Sequence, residues 1–91
     1  MRETVFKFGV SLLSKDPTGQ LKALKDKLLT TQGVVAVDGS LDELRVDLHV
    51  RARFEDGAAA KKLHRKLMKT LKNIEEIRLT NVSTNLTEVF G

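Results

Sequence analysis

Two histidines, His49 and His64, are the side chains best placed to exchange protons near neutral pH, and the chain has no cysteine to join them. Without thiols there are no disulfides, thiolate metal sites or cysteine nucleophiles, a composition that fits a reducing compartment. The two histidines fall on segments of different periodicity whose relevant faces point in opposite directions, so they do not share a metal within one subunit. HxxxH, CxxC and glycine-rich phosphate-loop patterns do not occur, and each Ser or Thr lacks an evident base with an orienting partner. The expectation is a chain that is not an enzyme and holds neither metal nor cofactor. His64 is read as a tolerated residue on a helix flank.

Binding chemistry is better represented. Lys61, Lys62, Arg65, Lys66, Lys69 and Lys72 follow one another with no intervening acid, and they outweigh the formal net charge of +4, so the surplus is local. Such a run attracts phosphate, nucleic acid or an anionic membrane surface. A solvated outer helix face balanced by acids elsewhere has the same composition. A second basic set, Arg45, Arg51 and Arg53, alternates with other residues and offers another surface for a polyanion. A third candidate is the stretch SKDPTGQL, residues 14–21, where Asp, Pro and Gly crowd a junction between strand-like and helix-like sequence, a place that can hold a small ligand.

These groups must be positioned by elements that the periodicity reveals. Over residues 5–13, Phe6, Phe8, Val10 and Leu12 alternate with Lys7, Gly9 and Ser11, which predicts a strand. Leu21, Leu24 and Leu28 then form a helical stripe, with Asp16 or Thr18 available as cap, Pro17 suited to the first turn and Gly33 expected at the C-terminal end. Val34 to Val37 reads as a short strand, and Asp38, Gly39 and Ser40 as the turn of a hairpin. In the returning arm Leu44, Val46, Leu48, Val50, Ala52 and Phe54 face one way and Arg45, Asp47, His49, Arg51 and Arg53 the other. Ala60, Leu63, Leu67 and Leu71 mark a second helix, with Glu55 and Asp56 near its positive end, and IEEIRLTNV, residues 74–82, a last strand with Ile77 and Leu79 inward and Arg78 and Thr80 outward.

The order strand, helix, strand, strand, helix, strand, joined by right-handed crossovers, predicts an α+β two-layer sandwich. This is the ferredoxin-like βαββαβ arrangement, a four-stranded antiparallel sheet with both helices on one face. One such domain is expected over residues 1–82, followed by a tail at 83–91; 91 residues support a single modest core of mainly Leu and Val. The open face should then carry Lys7 among the arginines. RNA-binding sheets of this topology stack bases on exposed aromatics, whereas Phe6 and Phe8 are in phase with the buried side, so that platform is missing. The N-terminus lacks a signal-peptide run and no stretch nears the ~20 apolar residues of a membrane span, so a cytoplasmic protein without membrane insertion is expected.

The corner SKDPTGQL resembles the D-x-P-G-x-L junction of ACT domains, small regulatory modules of this topology. GVVAVDGS is similar to their second strand, and LHRKLMKTLKNIEEIRLTNV to their closing helix and strand, as in stringent-response synthetases. Here the proline directly follows Asp16 instead of preceding the glycine, and the joint KNIEE lacks the usual glycine. The resemblance implies a self-associating regulatory domain, a homodimer that senses an amino acid at the corner through Asp16, Gly19 and Gln20. The sensing half of leucine-responsive regulators, tails of magnesium-stress membrane proteins and cytoplasmic tails of cation diffusion facilitators share the fold. The alternatives are a polyanion module using Arg45, Arg51, Arg53, Lys61, Lys62, Arg65, Lys66 and Lys69, or an oligomerisation domain of a larger, membrane-transport protein.

Overall fold

The computed structural model describes residues 2–74 and 76–82. Its elements run β1 (Arg2–Leu12), α1 (Pro17–Leu29), β2 (Val34–Asp42), β3 (Arg45–Phe54), α2 (Gly57–Lys72) and β4 (Ile77–Val82). The strands form one antiparallel sheet in the order β2-β3-β1-β4, so β1 and β3 are the central neighbours of a ferredoxin-like α+β sandwich. The tail expected at 83–91 lies outside the described residues.

Period-two alternation sends Phe6, Phe8, Val10 and Leu12 of β1 and Val46, Leu48, Val50, Ala52 and Phe54 of β3 to the same side. There they meet Leu21, Leu24 and Leu28 of α1 and Ala60, Leu63, Leu67 and Leu71 of α2 in one continuous core. Removing such side chains from water stabilises the fold by roughly 2 kcal/mol each, which holds both helices to one face and leaves the other to solvent.

Several boundaries differ from the sequence reading: β1 begins already at Arg2 and ends at Leu12, and β4 begins only at Ile77. Helix α1 stops at Leu29, where the Thr30 hydroxyl donates to the Lys27 carbonyl at 2.6 Å, well before Gly33. Gly33 instead leads into β2: with φ at +97° it adopts a backbone that side chains disfavour, and its carbonyl accepts the Arg53 amide at 2.8 Å.

The hairpin also turns later. Asp38, Gly39 and Ser40 are strand residues paired with His49, Leu48 and Asp47, and the chain reverses at Glu43 and Leu44, with Glu43 at φ 56°. Gly39 makes room for the core, since a Cβ would stand 2.9 Å from Leu21 Cδ1 and 3.3 Å from Val46 Cγ1 and those side chains would have to shift. Leu44, expected inward, sits in the turn and is half exposed.

Candidate polyanion-binding surface

Helix α2 is assembled mainly from strong helix formers: after Gly57 come three alanines, and Leu, Lys, Arg and Met make up most of the rest. Asp56 caps it, its Oδ1 accepting the Ala59 amide at 2.9 Å, while Lys69 and Lys72 occupy the last turn, where cations suit the helix dipole. At 3.6 residues per turn, Lys61, Lys62, Arg65, Lys66, Lys69 and Lys72 fall within an arc of about 140°. The buried stripe of Ala60, Leu63, Leu67 and Leu71 lies about 180° away. All six cations are exposed. Among the described residues, Lys62, Arg65, Lys66, Lys69 and Lys72 have no acid within ion-pair distance. The helix is therefore seated by one side and carries, on the other, five cations that no acid of the described residues meets at ion-pair distance.

His64 belongs to the seated side. Expected on a flank, it is 7% exposed, stacked on Phe8 with centroids 5.3 Å apart and edge-on to Phe6 at 5.2 Å. Among the described residues its Nε2 has no hydrogen-bond partner, and burial lowers its pKa from the ordinary 6.5, because the imidazolium loses its water there. One signal was available, since His64 precedes the buried Leu67 by three residues.

The helix-free face of the sheet is different. Arg45, Asp47, His49, Arg51 and Arg53 of β3 all point to it, as expected, with Lys7 and Arg78 also exposed. The acids come from the neighbouring strands. Asp42 pairs with Arg45 and Asp38 with His49 across β2, and Glu3 pairs with Arg53 across β1. Glu3 holds both outer arginines: its Oε2 accepts Arg53 Nε at 2.9 Å and its Oε1 lies 3.5 Å from Arg51 Nε. Cations and anions interleave, so this face is mixed in sign and not the cationic plate expected.

At the first strand-to-helix corner every nominated side chain already has local work. Asp16 caps α1, its Oδ1 accepting the Gly19 amide at 3.2 Å, and a Cβ on Gly19 would collide with Asp16 Oδ2. Gln20 Nε2 donates to the Glu76 carbonyl at 2.9 Å and so ties α1 to the joint before β4. Among the described residues Gln20 Oε1 has no partner; it is buried beside a cleft of about 380 Å³ between α1 and that joint, lined by Ala23, Leu24, Lys27, Asn73, Ile74 and Ile77.

The sheet edges are β2 and β4, the strands through which a second copy would pair. Edge β2 carries outward Asp38 and Asp42 and an irregular register between Val34 and Ala36, features that blunt an edge against pairing. Among the described residues no group of three or more His, Asp or Glu is arranged to hold a metal ion, and no helix is long and apolar enough to cross a membrane.

No family model, curated protein or solved structure matches this chain.

Proposed function

We propose that this chain is a non-catalytic binding module that docks a phosphate-bearing polyanion on the outer arc of α2. The observation that carries the reading is the row of exposed cations on one helix, with no acid of the described residues within ion-pair distance of Lys62, Arg65, Lys66, Lys69 or Lys72. Unscreened like charges held together raise the local concentration of counter-ions, and a polyanion that displaces them gains the entropy of their release. The corner lends less support to an amino-acid sensor, because a ligand ammonium at Asp16 would compete with the bond that caps α1.

The test is binding of the whole chain to a long mixed-sequence nucleic acid at several salt concentrations. Neutralising five or six phosphates gives a slope of log K against log salt of roughly −4.5 to −5.5. Absence of binding at 50 mM salt, or binding indifferent to salt, would overturn the reading.

A further inference from the structure

Granting that α2 binds a polyanion, we propose that its partner is double-stranded nucleic acid, gripped through the phosphates of both strands without reading of base sequence. The cations stand in two rows. Lys61, Arg65 and Lys72 share one side of the arc, and Lys62, Lys66 and Lys69 the other, so a groove lying along the helix meets positive charge on each wall. A helix with its side chains is about 10–12 Å across, against about 12 Å for the major groove of B-form DNA. The 16-residue helix runs about 24 Å, and cations four residues apart are about 6 Å apart along its axis. This array is stiff. A duplex, straight over ~150 base pairs, meets it without being ordered, whereas a single strand loses conformational freedom to do so.

Single-strand binders recover that loss by stacking bases on aromatic side chains. Among the described residues the phenylalanines, Phe6, Phe8 and Phe54, are all buried, and the chain has neither Trp nor Tyr; Phe90 lies outside the described residues. An anionic membrane fits less well, because a helix lying in a bilayer surface sinks an apolar face among the acyl chains. The apolar stripe of α2 is already committed to the sheet, and the large exposed hydrophobics of the described chain, Val5, Leu13, Leu29, Val35 and Leu44, lie elsewhere. Base readout also lacks its tools: the arc has no Asn, Gln, Asp or Glu, and five of its six cations are lysines, which act as point charges.

The deciding experiment is fluorescence anisotropy of the whole chain at 50 and 200 mM salt. The probes are a labelled 20-base-pair DNA duplex of mixed sequence, a scrambled duplex, each separated strand, and phosphatidylserine vesicles. The expected result is equal binding of the two duplexes, at least about tenfold tighter than either strand, with little binding to vesicles. K62Q/K66Q/K69Q should shift the salt slope by about 2.7 toward zero. K62R/K66R/K69R, which keeps the charge, should retain affinity and shows that the sites tolerate change. Equal or tighter binding of single strands, or binding of vesicles in preference to duplex, overturns this inference. It leaves the polyanion reading standing provided that the glutamine variant still weakens the interaction. If no probe binds, or the glutamine variant binds like the parent, both fall.

Discussion

The outer arc of α2 and the helix-free face of the sheet are both rich in cations, yet neighbours treat them differently. On α2 the cations neighbour one another along a helix that contains no acid from Gly57 to Lys72, and Glu55, which lines a cavity with Lys62 and Lys66, stays outside ion-pair distance of them. On the sheet, the residues beside Arg45, Arg51 and Arg53 come from β1 and β2, and they include Glu3, Asp38 and Asp42. Charge density along the chain therefore equals charge density in space on a helix, but not on a sheet, where the partner strands decide the field.

The largest expected effect tests this contrast directly. Neutralising Lys62, Lys66 and Lys69 together should weaken duplex binding on the order of a hundredfold, at about 1 kcal/mol for each phosphate that no longer meets a cation. Neutralising Arg45, Arg51 and Arg53 instead should change it less than about threefold, since Glu3 already pairs with Arg51 and Arg53 and Asp42 lies opposite Arg45 in the strand register. A binding titration at 50 mM salt separates the two, and equal weakening by both sets would erase the distinction.

The inner side of the same helix supplies the next effect. Above the ordinary histidine pKa of 6.5, His64 is neutral both folded and unfolded and places no pH dependence on stability. As pH falls below that, the unfolded chain takes up a proton that the buried ring between Phe6 and Phe8 resists, so the unfolded state gains and stability declines until the folded ring protonates too. Denaturant unfolding should show this decline between pH 7.5 and 5, and His64→Leu should flatten it and add about 1 kcal/mol at pH 7.5 by removing an unpartnered nitrogen. Outward charge and inward seating are then separable, because the leucine variant should bind duplex as the parent does at pH 7.5.

The contrast can also be reversed. Replacing Glu3, Asp38 and Asp42 by their amides strips the acids flanking β3 and turns the sheet into a second positive surface. Duplex affinity should rise about tenfold at 50 mM salt, with a steeper salt dependence. No change would mean that those acids do not mask the arginines.

The two surfaces also differ in how far they could be read from sequence. The helix arc was legible because local spacing alone defines it, and so were the alternating strands and the strand order. The sheet face was misread for a specific reason. Asp-Gly-Ser at 38–40 is strong turn chemistry, and placing the turn there removed Asp38 from the sheet and left Arg45 without Asp42 opposite. The actual turn residue, Glu43, is no turn former, and Gly39 is explained only by Leu21 of α1 above it, a contact between distant segments. His64 escaped for the same reason, because Phe6 and Phe8, which enclose it, lie at the other end of the chain. The stretch SKDPTGQL lies at the head of α1, where the change of periodicity put it, and a side chain at Gly19 would displace the Asp16 carboxylate that caps the helix.

The smallest effect is the most discriminating about mechanism. Glu3 bridges Arg51 and Arg53, two cations on one strand face that would otherwise repel, but the arginine side chains are more than half exposed and Glu3 itself is 41% exposed. Such pairs contribute less than about 1 kcal/mol, and salt screens them. Glu3→Gln should therefore lower the melting midpoint by no more than about 4–8 °C in dilute buffer. In 1 M salt, where the screening length is about 3 Å, the deficit should close. Duplex affinity should meanwhile rise only a few-fold, because Asp38 and Asp42 still answer His49 and Arg45. A deficit that persists unchanged in 1 M salt would mean that Glu3 acts through strand packing beside Arg53 and not through charge. The sheet face would then owe its weakness as a polyanion surface to something other than the acids of its neighbouring strands.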